Sequence, residues 1–127
     1  MLDHVGIQVV DVARAAAFYD AVLPTVGAER IMDFGQFIGY GIGGKPDFWI
    51  GIATTTPLQH EAHVAFEAPD RAAVDAWFAA AVAAGAEVLH APKVWPEYHP
   101  GYYGAFVRDP DGNNVEAVHH TFDGGPG

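Results

Sequence analysis

The chain reads as an α+β fold: two tandem βαβββ modules whose strands form a curved mixed sheet around a cavity. Three observations predict it. A strand, an N-cap and a helix occur twice at one offset, so that His4 and Asp11 recur 59 positions later as His63 and Asp70. The helix stripes obey the same offset: Ala15, Phe18, Tyr19, Val22 and Leu23 return as Val74, Trp77, Phe78, Ala81 and Val82. Their i, i+3, i+4, i+7, i+8 spacing is that of a helix with one face in a core. Finally, three short strand-like runs follow each helix, which disfavours a doubly wound parallel sheet and favours a mixed sheet with both helices on its outer face.

The elements follow in order. Leu2–Val10 is a strand with Val5, Ile7 and Val9 on one face and His4, Gly6 and Gln8 on the other. Asp11 caps the first helix, and Pro24 and Gly27 end it. Strands are expected at Glu29–Phe34, Gln36–Ile42 and Phe48–Ala53, with a turn over Gly43–Asp47. Thr55–Gln59 is the linker. Ala62–Ala68 opens the second copy, with Val64 and Phe66 opposed to His63, Ala65 and Glu67. Gly85 closes the second helix, Glu87–Ala91 is a strand, and Pro92–Gly101 is an aromatic loop. The last unit is a hairpin, Tyr102–Val118, turned by Asp109-Pro110-Asp111-Gly112, whose residues suit a type I turn. One domain therefore spans 1–127, with module one at 1–57, module two at 58–120 and a Gly/Pro-rich tail at 121–127.

Composition narrows the function. The formal charge is −10, which disfavours nucleic acid and anionic membranes as partners. Absence of cysteine removes disulfides and thiolate metal sites. With no spanning apolar run and no signal-peptide pattern, a cytoplasmic location is expected.

Because apolar strand residues face the helices, His4 and His63 point to the concave side, equivalent under the repeat. In the last strand of each unit, Ile50-Gly51-Ile52 is matched with Val115-Glu116-Ala117. Four inward positions then converge: His4, Gly51, His63 and Glu116. Two histidines and one carboxylate form the ligand set of an open divalent-metal site, and Gly51 stands where a fourth ligand would be. Tyr102, Tyr103 and His99 are candidates for proton transfer. Gln8, Trp49, Gly51 and Phe106 are candidates for substrate contact, with Trp95 and Tyr98 as further aromatic walls.

Asp3-His4-Val5, the Phe18-Tyr19 helix, Ala62-His63-Val64 and Asp109-Pro-Asp-Gly-Asn-Asn-Val-Glu116 together resemble the vicinal oxygen chelate superfamily. That group includes glyoxalase I, bleomycin- and fosfomycin-resistance proteins, methylmalonyl-CoA epimerase and extradiol dioxygenases. The resemblance implies paired modules curled around a metal in a homodimer, with His4, His63 and Glu116 at the metal positions. It also implies a small-molecule substrate, and Fe(II) or Mn(II) ahead of Zn(II) or Ni(II). Gly51 departs from the four-ligand pattern of glyoxalase I and the epimerase. Phe106 departs from the tyrosine usual ten residues before the last ligand in dioxygenases. Tyr102 is the phenol that could substitute. The resemblance leaves two functional classes: a dioxygenase-like or lyase/isomerase-like enzyme, or a binding protein for an antibiotic or aromatic natural product without turnover.

Overall fold

A computed structural model describes residues 1–54 and 61–121. The expected linker, the module boundary and the tail from 122 onward lie outside the described residues. Module one contains β1 (Val5–Val9), α1 (Val12–Val22), a 3₁₀ turn (Leu23–Val26), β2 (Glu29–Asp33), β3 (Phe37–Ile42) and β4 (Lys45–Ile52). Module two contains β5 (His63–Glu67), α2 (Arg71–Ala83), β6 (Glu87–Val94), β7 (Tyr102–Arg108) and β8 (Asn114–His120).

The helices start where their caps dictate. The Asp11 carboxylate accepts the Arg14 amide at 3.1 Å and that of Asp70 accepts Ala73 at 2.8 Å. The mixed sheet is present as two four-stranded sheets, one per module, in the orders β1-β4-β3-β2 and β5-β8-β7-β6. The β1–β4 and β5–β8 pairs are parallel and the rest antiparallel. Each module's first strand is therefore an edge strand. One apolar core runs through both modules, from Ile7 and Val9 through Phe18, Tyr19 and Trp77 to Val115 and Ala117.

Three boundaries differ from expectation by three residues; the first is that β1 begins at Val5 and not at Leu2, which leaves His4 outside the strand. β4 begins at Lys45, because Gly43 and Gly44 suffice for the turn: both have positive φ, 68° and 83°, as a two-residue hairpin loop requires. β6 continues to Val94, its register shifting on either side of His90 so that Pro92 is accommodated without a ladder bond.

The modules are locked together by the turn after β7. Tyr19 donates its hydroxyl to Asp109 Oδ2 at 2.6 Å, and the Asn113 amide donates to the same oxygen at 3.0 Å. Asp109 Oδ1 accepts the backbone N–H groups of Asp111 and Asn113, at 3.0 and 2.8 Å. Asn113 in turn accepts from Ala62 N, and Asp111 accepts from Val10 N at the end of β1. Burial first, and then the Asp109 carboxylate, push the Tyr19 phenol well above its ordinary pKa, so it stays a donor. No helix among the described residues is long and apolar enough to cross a membrane.

Candidate functional site

Period-2 alternation places Glu116 on the concave face of β8, opposite Phe106 of β7 and diagonal to His63 of β5. The carboxylate is only 2% exposed yet has two partners. Its Oε1 lies 2.8 Å from His63 Nε2, and its Oε2 accepts the Tyr102 hydroxyl at 2.6 Å. His63 Nδ1 is 3.1 Å from the Asn114 carbonyl, which can only accept, so Nδ1 carries the proton. In the neutral ring, Nε2 and Oε1 then meet as two acceptors, an arrangement satisfied only by a proton or a metal cation between them. Burial, followed by the hydrogen bond to Glu116, raises the Tyr102 pKa, which keeps the phenol protonated and donating. His63, Glu116, Tyr102, Phe106, Tyr98 and Asn114 line a cavity of about 520 Å³.

His4 is not grouped with this pair. Its Nδ1 bonds Asp3 Oδ1 at 2.8 Å, and the ring lines a cleft with Val5, Phe48, Val64 and Phe66. The bond to His4, with Lys45 beside it, holds the Asp3 carboxyl below its usual pKa. Both histidines thus have Nδ1 engaged by an oxygen, the arrangement by which proteins present Nε2 to a metal. Among the described residues of one chain, no three His, Asp or Glu side chains are grouped to hold an ion.

Module one presents the second concave face. Gly6, Gln8, Phe37, Trp49 and Gly51 line a slot of about 210 Å³, and Gln8 accepts the Thr54 amide at 3.1 Å. The strand register corrects the repeat alignment here. Ala65 lies opposite Glu116, and its counterpart Gly6 lies opposite Trp49; Gly51 pairs with Gln8. Trp49, not Gly51, therefore holds the position that corresponds to Glu116. Gly51 lies two residues further along the same face, beneath Phe37, where a Cβ would fall 2.7 Å from that ring. Gly51→Glu is accordingly expected to displace Phe37 without tightening divalent-ion binding, and titration of the variant with Mn(II) checks this.

The other candidates divide. Tyr103 is one residue from Tyr102 and so faces the helices, where it donates to Asp75 at 2.7 Å under the Arg71 guanidinium. Burial, then Asp75, push its pKa up to about 12. Tyr103, a candidate for proton transfer, therefore lies on the helix side of β7, and Tyr102 alone of the two meets Glu116. His99 accepts the Gly101 amide at Nδ1 and meets His120 Nδ1 through Nε2 at 2.9 Å; both rings stand edge-on to Tyr102. His99 thus adjoins the Tyr102 ring and not the carboxylate. Asn114 was not legible beside His63 because the contact is made by its backbone carbonyl. Phe37 carried only one signal, its place opposite Gly51.

A family model, the Glyoxalase/Bleomycin resistance protein/Dioxygenase superfamily, matches residues 1–117. A glyoxalase/bleomycin resistance protein from Albidiferax ferrireducens is 27% identical, with TM-score 0.81 over 92% of this chain and 97% of its own. A lactoylglutathione lyase from Agrobacterium tumefaciens is 26% identical, with TM-score 0.67 over 94% of this chain and 92% of its own. A family member from Burkholderia phytofirmans, at 24% identity and TM-score 0.74 over 94% of this chain and 98% of its own, shares the fold. No curated protein matches. With its paired βαβββ modules and a family match over 1–117, the chain belongs to the glyoxalase/bleomycin resistance protein/dioxygenase superfamily.

Proposed function

We propose that the protein is a metal-dependent enzyme acting on a small oxygenated molecule that chelates a divalent ion through adjacent oxygens. His63, Glu116 and His4 are the 2-His-1-carboxylate set. One observation carries the reading: His63 Nε2 and Glu116 Oε1 lie 2.8 Å apart with the Nδ1 proton already committed to Asn114. Two acceptors facing each other, Glu116 buried and His63 half-exposed, are satisfied by a cation held between them. An ion held there supplies Lewis-acid polarisation of the substrate's oxygens. Imidazole and carboxylate donors suit Fe(II) or Mn(II), and also accept Zn(II) or Ni(II). Tyr102 fixes one Glu116 oxygen, orients the other and remains a protonated phenol at the cavity wall. Tyr102→Phe is expected to weaken Mn(II) binding about tenfold, the lower end of effects for residues that orient a ligand. An unchanged dissociation constant by calorimetry would remove that role.

His4 joins the set across a homodimer. β1 and β5 each leave one edge unpaired, and open edges invite pairing with another chain. Sedimentation at micromolar concentration should give a dimer, and a monomer would refute the shared site. The likeness to a lactoylglutathione lyase supports lyase or isomerase chemistry, whereas three ligands with open positions suit dioxygenase chemistry. The exposed aromatic slot around Trp49 and Phe37 favours a second reading, a small-molecule-binding protein without turnover. Elemental analysis of protein purified without chelator, then a substrate screen with the metal found, separates the two. A metal-free protein that binds its ligand unchanged would support the second reading.

A further inference from the structure

The chain has five tyrosines, and four of them commit their hydroxyls to its own carboxylates. Tyr19 donates to Asp109, Tyr40 to Asp20, Tyr102 to Glu116 and Tyr103 to Asp75, at 2.6 to 3.0 Å. Tyr98 is the exception. It is 58% exposed, and its hydroxyl has no hydrogen-bond partner among the described residues. An exposed tyrosine on a loop is ordinarily just solvated, but two features set this one apart.

The first is that its loop is braced. Trp95 N donates to Tyr102 O at 2.8 Å, while Tyr98 N donates to Trp95 O and Tyr102 N to His99 O, each at 3.1 Å. The Trp95 indole, 7% exposed, donates to Gly104 O at 3.0 Å. Gly101 passes so close to Thr121, just beyond β8, that a Cβ would fall 1.5 Å from the Thr121 carbonyl oxygen. Only glycine fits there. The Tyr98 ring is held as well, stacked on Trp95 at 5.9 Å and edge-on to Tyr102 at 4.9 Å between centroids.

The second feature is where the ring is held. Tyr98 lines the same cavity as His63, Glu116 and Asn114, and the Tyr102 ring against which it packs carries the hydroxyl that meets Glu116. Nearby histidines are engaged: His63 Nδ1 faces the Asn114 carbonyl, and His99 Nε2 meets His120 Nδ1. Tyr98 is thus a donor that the fold positions at the cavity and does not itself use.

We infer that Tyr98 donates a hydrogen bond to the ligand bound in this cavity, at a ligand oxygen that carries negative charge. The inference rests on the metal site proposed above and adds to it a residue that touches the ligand and not the ion. A phenol O–H directed at an oxyanion favours the charged form over the neutral one. Because the loop is ordered in advance, little freedom remains to be lost when the bond forms.

The test follows 4-nitrocatechol by its absorbance, which reports both occupancy and protonation state, on Mn(II)-loaded parent and Tyr98→Phe. The substitution keeps the stacked ring and removes one exposed hydroxyl, and circular dichroism checks that the fold is kept. Mn(II) affinity should be unchanged. The pH at which the bound probe loses its second proton should rise by about one unit, since the phenol stabilises the dianion. Above that pH the probe's affinity should fall about tenfold, the scale of a hydrogen bond to a charged group. Equal behaviour of the two proteins, or a fall in affinity with that pH unmoved, would overturn the role of Tyr98 and leave the metal site standing. Loss of Mn(II) affinity in Tyr98→Phe would assign the hydroxyl to the ion, which also overturns it. A parent protein that takes up no Mn(II) would overturn the metal site, and this inference with it.

Discussion

Asp109→Ala is expected to destabilise the fold by about 3–4 kcal/mol, the scale for breaking a buried, charge-assisted hydrogen-bond network. The side chain is 5% exposed and accepts four hydrogen bonds, from Tyr19 Oη, Asn113 Nδ2 and two backbone amides. Alanine leaves all four donors without this acceptor, and Tyr19 is fully buried. Against a typical stability of about 5–15 kcal/mol, that loss should lower the melting temperature by on the order of 10 °C. Asp111→Ala is the control: it removes one exposed bond, to Val10 N, and should cost about 1 kcal/mol. Urea denaturation with an unchanged slope measures both. Equal midpoints for the two variants would mean that the turn does not lock the modules together.

Glu116→Gln should have opposite effects with and without metal. Without a divalent ion, the new amide can donate to His63 Nε2 and its oxygen can still accept from Tyr102, so the fold should be as stable as the parent or more so. With Mn(II) present, the parent gains stability as the logarithm of ligand excess, about 2.7 kcal/mol at a hundredfold excess over Kd. The variant should gain almost none, since it loses the one anionic oxygen facing His63. A drop in affinity of about a hundredfold or more is expected, because even residues that merely orient a ligand are worth about 10–100-fold. Thermal melts with and without Mn(II) read both effects. A variant still stabilised by Mn(II) as much as the parent would place the ion elsewhere.

How far the sequence reached follows from the periods involved. The helices were legible because Asp11 and Asp70 announce them and a five-residue stripe repeats intact. The concave faces were legible too, because a strand's period of two assigns His63, Tyr102, Phe106 and Glu116 to one side. The same period places Tyr103 on the opposite side from Tyr102, a separation the sequence already displayed. Gly51 failed for a subtler reason. A one-residue slip reverses the faces, but a two-residue slip preserves them, so Phe48-Trp49-Ile50 and Ile50-Gly51-Ile52 match Val115-Glu116-Ala117 equally well by alternation. Only the parallel pairing with β1 distinguishes them. His4 is limited differently: it lies one residue before β1, so the strand period does not assign it a face.

The clasp between Tyr19 and Asp109 joins residues separated by 90 positions, and that between Val10 and Asp111 spans 101. Contacts of such range are made late in folding, because the loop they close must first lose its freedom. During synthesis at about 5–20 residues per second, the first helix waits on the order of ten seconds before its acceptor leaves the ribosome. Throughout that interval the first module has an unclasped Tyr19 and a Val10 amide without its Asp111 acceptor, with no second module to shelter them. Chaperone dependence of the nascent chain should therefore peak before residue 109 emerges and fall sharply once the turn has closed.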